Sequence, residues 1–239
     1  MASETSKQHP NHCHLENLRQ IYTAGGHPED RSQPGFPIVH RKFANPTPLG
    51  LLAFATGMFL ISSFGIHARG IHTANLIISV LVFFGGICQY IVGVMEFITG
   101  NTFGFTVFTS YGAFNMSYSM IYLPGSGIIA AYRDKENGQL TSEFQQSVAL
   151  YLWVWFILTV IFTMAAMRSS WVLVLLFAFL DICLMLLAIG NMINNQKCLV
   201  AGYGIGYIVT LFSYWAGVDG LFSGATPFNI PTFSLAKED

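Results

Sequence analysis

Residues 148–167, VALYLWVWFILTVIFTMAAM, run for twenty positions without one charged side chain. A helix of about 20 apolar residues is what crosses a hydrocarbon layer about 30 Å thick. Five further apolar stretches lie at about 48–66, 74–98, 104–131, 171–193 and 199–223, the third broken by PGSG at 124–127. Charged residues make up 10% of the chain, against about 25% in a soluble domain, and they gather between the apolar runs. That pattern predicts an all-α membrane protein with six transmembrane helices per protomer. Residues 1–44 read as a polar N-terminal tail, 45–224 as the six-helix domain and 225–239 as a C-terminal tail.

Several function classes are disfavoured. Net charge is −1, so there is no basic footprint for nucleic acid. Cys13, Cys88, Cys183 and Cys198 form no CxxC pair, and they read as small packing residues rather than a disulfide or zinc framework. Cys13 lies among His9, His12 and His14, which read as a solvated tail, so no metal site is expected. All seven histidines precede position 73 and no HExxH occurs. Without a later histidine base or a cofactor motif, an enzyme is not expected.

The opening MASETSKQHPNHCHLENLRQ lacks the apolar core of a secretory signal. Six spans place both termini on one side. Arg31, Arg41, Lys42, Arg168 and Lys237 fall on that side, and Arg69, Arg133, Lys135 and Lys197 on the other. The excess predicts cytoplasmic termini, in a multi-pass protein of the plasma membrane.

Polar residues inside the spans carry the functional signal. Gly86, Gln89, Gly93 and Glu96 share one helical face. Thr102, Thr106 and Ser110 form a second stripe, with Thr109 and Tyr111 beside it. Leu180, Leu184, Leu187 and Asn191 form a third. Gly202, Gly206, Thr210, Ser213, Gly217 and Gly220 form a fourth, which reads as close helix packing. Amide and ionisable groups inside a membrane are costly and face a watery path or a partner. Gln89, Glu96, Tyr111 and Asn191, with residues 100–115, are therefore expected to line or flank a route. Asp181 lies about 100° around its helix from Leu180, and reads either as a structural hydrogen-bonding group or as a proton-handling one. NPTPLGL at 45–51 suits a rigid helix entrance, with Asn45 as cap. It equally suits an anion site at a helix N-terminus.

Taken together, NPTPLGL (45–51), GGICQYIVGVMEFITGNTFGFTVFTSYGAF (85–114) and LLAIGN (186–191) resemble the acetate uptake transporter family. These are acetate/succinate–proton transporters whose fungal members are linked to ammonia export. The resemblance runs from residue 45 to about 220. It implies a hexamer with one pathway in each protomer, passing small monocarboxylates, acetate above all, and in some members succinate. It also implies a constriction of Phe54, Tyr111 and Leu180, and places Gln89 and Glu96 on the family's second-span Gln and Glu. Asn115 and Asp181 depart from the bacterial pattern, where an aromatic and a hydroxyl residue are common.

On this reading Asn45, Leu49, Gln89, Glu96, Thr109, Ser110 and Asn191 serve the pathway or its mouth. Glu96 and Asp181 are the candidates for proton handling, and the substrate crosses either as the neutral acid or as a solvated anion. Propionate and lactate are further expected substrates. The alternatives are an ammonia/ammonium conduit and a non-conducting acetate sensor.

Overall fold

The computed structural model describes residues 44–222, 226 and 230–235. The His-rich cluster with Cys13, together with Arg31, Arg41, Lys42 and Lys237, lies outside the described residues. Six long helices carry the chain: α1 (Thr47–Gly65), α2 (Leu76–Ile98), α3 (Thr102–Tyr122), α4 (Ser142–Ala166), α5 (Trp171–Met192) and α6 (Gln196–Phe222). Five of them are long and apolar enough to cross a membrane. The other is α3, whose 21 residues reach about 31 Å. Its threonines, serines and Asn115 dilute its hydropathy.

The third apolar stretch extends less far than expected. Helix α3 stops at Tyr122, and Ile128–Ala131 forms a separate single turn. Pro124 disfavours helical geometry at Leu123, which is extended, and Gly125 and Gly127 take positive φ.

Local chemistry sets the helix starts. Asn45 Oδ1 accepts the Thr47 N–H at 3.1 Å, and Pro48 in the first turn gives up no hydrogen bond the helix needs. Asn101 Oδ1 accepts the Gly104 N–H at 3.0 Å and caps α3, as Ser170 Oγ caps α5 through Leu173 N.

The helices pack in an arc: α3 on α2, α2 on α1, α1 on α6, α6 on α5 and α5 on α4. The α2–α3 contact is backbone-close. A Cβ on Gly93 would lie 2.7 Å from Thr109 N, and one on Gly112 would lie 2.8 Å from Tyr90 N. The small-residue stripe of α6 serves packing as read: Gly217 meets Leu52, and Ser213 Oγ donates to Leu51 O at 2.8 Å.

The arc closes differently between α3 and α4, whose backbones stay further apart. Aromatic rings fill the gap. Phe114 meets Trp155 at 4.9 Å between centroids and Tyr151 at 5.8 Å, and Tyr111 meets Phe162 at 5.8 Å. Bulky side chains hold these two helices apart, and space remains inside the arc.

One irregularity lies beside that space. Within α2, Phe83–Cys88 is a π-helical turn. Asn115 Nδ2 donates to the Gly85 carbonyl in this turn at 2.8 Å, so a carbonyl displaced from the regular ladder keeps a partner.

The C-terminal stretch also has a fixed element. Trp171 N donates to Phe233 O at 3.0 Å, and Leu235 N donates to Ser169 O at 2.9 Å. Residues 233–235 are thereby strapped to the turn between α4 and α5.

Candidate functional site

One face of α1 lines the interior. Thr47, Leu51, Phe54, Met58 and Ile61 follow at spacings of four, three, four and three, the repeat of a single helical face. Four cavities succeed one another along it. The first is a vestibule of about 370 Å³ at the N-terminal end of α1, lined by Thr47, Leu51, Asn101, Phe108, Arg168 and Phe177 among others. The second is small, about 20 Å³, and shares Leu51, Val107, Phe108 and Phe177 with the vestibule. The third, about 60 Å³, shares Phe54 and Tyr111 with the second. The fourth, about 240 Å³, opens beside His67 and His72 and shares Ile61, Tyr118, Tyr122 and Tyr203 with the third. From Thr47 to Gly65 the axial rise is about 27 Å, close to the thickness of a hydrocarbon layer.

Phe54 and Tyr111 stand between the two inner cavities, with ring centroids 5.3 Å apart. Leu180 lines the larger inner cavity beside them. A volume near 20 Å³ holds about one water molecule, so the small cavity at these rings has no room for a hydrated ion. Among the described residues, no charged side chain lines either inner cavity.

The polar groups beside the neck are bonded in a defined sense. Tyr111 Oη lies 2.7 Å from Thr159 Oγ1, and Thr159 Oγ1 also donates to Trp155 O at 2.7 Å. A threonine has one hydroxyl proton, so Tyr111 is the donor to Thr159. Asn115 Nδ2, oriented by the Gly85 carbonyl, donates at 3.1 Å to Gln89 Oε1. Gln89 Nε2 has no hydrogen bond among the described residues. Gln89 is 1% exposed and lines the small cavity. Asn191 lines the larger one and donates to Leu187 O at 2.8 Å.

Glu96 belongs to the vestibule end. Its Oε1 accepts from Thr47 Oγ1 at 2.5 Å and its Oε2 from Asn101 Nδ2 at 2.7 Å. It is 2% exposed and lies behind the two side chains that line the vestibule. Both of its partners come from segments that also start helices, so this carboxylate ties α1 and α3 to the end of α2.

Other expected residues lie elsewhere. Leu49 is 45% exposed and faces away from the four cavities. Thr109 Oγ1 donates to Phe105 O at 2.6 Å and packs on Gly93. It belongs to the α2–α3 interface. Ser110 is half-buried and lines none of the four cavities. The Thr102, Thr106 and Ser110 stripe turns outward instead of lining a route. Thr106 is exposed and donates to its own helix at Thr102 O, 2.8 Å away. The inward face of α3 is Gly104, Val107, Phe108, Tyr111 and Asn115. Asn45 is exposed and bonded to the first turn of α1. Asp181 Oδ2 accepts from Thr163 Oγ1 at 2.7 Å across the α4–α5 contact, away from the four cavities.

Asn115 falls at the end of the 100–115 stretch expected to line or flank a route, though it was not singled out, and Arg168 was not among the expected pathway positions. Asn115, four residues beyond Tyr111, lies on its face and lines the larger inner cavity. Arg168 lines the vestibule, and its sequence signal was no more than a charge in a tight turn.

Residues 29–237 match the GPR1/FUN34/yaaH family. Over 208 residues the chain is 35% identical to ammonia transport outward protein 2 of Saccharomyces cerevisiae, covering 86% of this chain and 72% of that protein. It is 32% identical over 199 residues to the succinate-acetate/proton symporter SatP of Escherichia coli, covering 82% of this chain and 91% of that one. The solved structure of the bacterial acetate channel SatP superposes with a TM-score of 0.68 at 29% identity, covering 80% of this chain and all of that one.

Proposed function

Since this chain belongs to the GPR1/FUN34/yaaH family, we propose that it is an integral membrane transporter or channel for small monocarboxylates, acetate first, with propionate, lactate and succinate as further candidates. The single observation that carries the route is the string of cavities along α1, pinched where the Phe54 and Tyr111 rings approach to 5.3 Å. Phe54, Tyr111 and Leu180 form the constriction. Gln89 and Asn191 serve the inner cavities, Glu96 the vestibule floor.

The substrate crosses the neck as the neutral acid, and a proton therefore travels with it. An ionised carboxylate would lose its water between apolar walls at a cost of several kcal/mol. Tyr111 spends its proton on Thr159, so its oxygen offers a lone pair. A lone pair accepts from a carboxylic acid O–H and repels a carboxylate. Gln89 Nε2 is an unspent donor suited to the acid's carbonyl. Glu96 and Asp181 are the candidates for handling protons: both Glu96 oxygens accept hydrogen bonds, whereas Asp181 accepts at Oδ2 alone and its buried Oδ1 has no partner among the described residues.

Six spans, α3 among them, form the protomer, and the protomers assemble as a hexamer. The exposed Thr102 and Thr106 on the outer face of α3 fit a protein neighbour better than lipid. The plasma membrane, with cytoplasmic termini, is the expected site.

Radiolabelled acetate flux into proteoliposomes tests the function. Protein-dependent flux that cold acetate inhibits and methylammonium does not is the expected result. Binding without flux would make the protein a sensor, and competition by methylammonium would make it an ammonia or ammonium conduit.

A further inference from the structure

We infer that Arg168 is a carboxylate-capturing residue at the vestibule mouth, an anion site that loads the route. This rests on the monocarboxylate reading above. Among the described residues lining the vestibule, Arg168 supplies the one formal charge. The remaining lining suits a short carboxylic acid. Asn101 Nδ2 keeps a second N–H beyond the one given to Glu96, and Ser169 carries a hydroxyl, while apolar side chains such as Leu51, Phe108 and Phe177 give a wall for a methyl group.

Among the described residues the guanidinium is uncommitted. The Arg168 side chain makes no ion pair or hydrogen bond among the described residues. The nearby carboxylate that might have claimed it, Glu96, is buried and bonded to Thr47 and Asn101. The backbone under Arg168 is fixed as well. Leu235 N donates to Ser169 O and Trp171 N to Phe233 O, so the C-terminal strap holds the turn at the vestibule wall. A planar guanidinium on a fixed backbone suits a carboxylate, which it can bind through two parallel N–H bonds.

The need for such a residue follows from the neck. Simple carboxylic acids have pKa values of about 4–5, so at pH 7 roughly one molecule in several hundred is neutral. A neck that passes the neutral form gains from a mouth that gathers the abundant anion, at a concentration above that of bulk solvent.

The competing account is that Arg168 only orients the protein, as a positive charge on the cytoplasmic side. That account predicts altered insertion in a charge-neutral variant and no change in concentration dependence once inserted.

The test is initial-rate acetate uptake in oriented proteoliposomes, with the Arg168 face presented to substrate, for wild type, Arg168→Gln and Arg168→Lys. The expected result is a KM about fivefold higher in Arg168→Gln, the size of an exposed charge pair near 1 kcal/mol. Maximal rate should stay within about twofold, and Arg168→Lys should recover most of the affinity. Wild-type KM should rise between low and high salt, and the Arg168→Gln value should not, because the charge being screened is gone. Thermal melting, with protease access for orientation, checks that each variant is folded and inserted alike. Should Arg168→Gln fail that check, Arg168→Met takes its place, since the side chain supports none of the turn's backbone bonds.

A wild-type KM indifferent to salt, or a neutral variant with unchanged KM, overturns the inference while acetate transport stands. Absence of acetate flux in wild type overturns the monocarboxylate reading, and this inference with it.

Discussion

The Tyr111 hydroxyl sits 2.7 Å from Thr159 Oγ1, and Thr159 gives its single proton to the Trp155 carbonyl. The direction of the first bond is thereby fixed, and the tyrosine oxygen at the proposed constriction is an acceptor. A hydroxyl that would otherwise serve either charge state of a carboxylic acid is committed to one. It does so through a residue on α4, the helix held off α3 by aromatic rings.

Tyr111→Phe removes the lone pair and leaves Thr159 bonded to Trp155. The fold should hold, since no buried group loses its last partner. Acetate flux should fall about five- to tenfold, the worth of a hydrogen bond near 1 kcal/mol. Stopped-flow uptake with melting controls measures this. Unchanged flux in a folded Tyr111→Phe variant would take the hydroxyl out of the route.

Phe54→Ala should widen the neck and shift selectivity toward longer acids. Phe54 is buried against Tyr111. The truncation should cost up to ~3–5 kcal/mol of stability, less where the ring already borders a cavity. Uptake of acetate, propionate, lactate and succinate, each relative to wild type, reads the effect. An unaltered profile in a folded protein would move the constriction elsewhere.

Glu96→Gln tests the tie between helices. Both carboxylate oxygens accept, one from Thr47 and one from Asn101, and an amide offers a single acceptor. One donor is left facing an NH₂ group, at a cost of about 1–3 kcal/mol for a buried unpaired group. The expected readout is a lower Tm in detergent together with reduced flux. Wild-type melting and wild-type transport together would remove Glu96 from both roles.

The helical framework was legible in the sequence because apolar run length is a local property. Five helices meet the spanning criterion, close to where the runs were read. The α6 stripe was legible too, since small residues at helical spacing have few uses in a membrane. The stripe through Thr102, Thr106 and Ser110 misled. A threonine can satisfy its hydroxyl on the carbonyl four residues back, as Thr106 does, and then needs no watery path. Periodicity alone does not distinguish that state from a pore-lining one.

Phe54, Tyr111 and Leu180 were grouped by resemblance rather than spacing; that they border one cavity depends on how α1, α3 and α5 pack. Asn115 stood out in the sequence as a departure from the family pattern. Its role is set by a π-helical turn 30 residues away, a long-range pairing that no local pattern reports. The partners of Glu96 were hidden for the same reason: Thr47 is 49 positions distant.

The central claim is that protein-dependent acetate passage moves the neutral acid through the Phe54–Tyr111 neck. The most direct measurement is acetate accumulation in proteoliposomes with pH gradient and membrane potential imposed separately, each corrected for protein-free vesicles. The account predicts accumulation on the alkaline side that follows the pH gradient, one proton entering per acetate, and indifference to the potential. Flux that follows the potential without proton movement would contradict it, because the anion itself would then be crossing the neck.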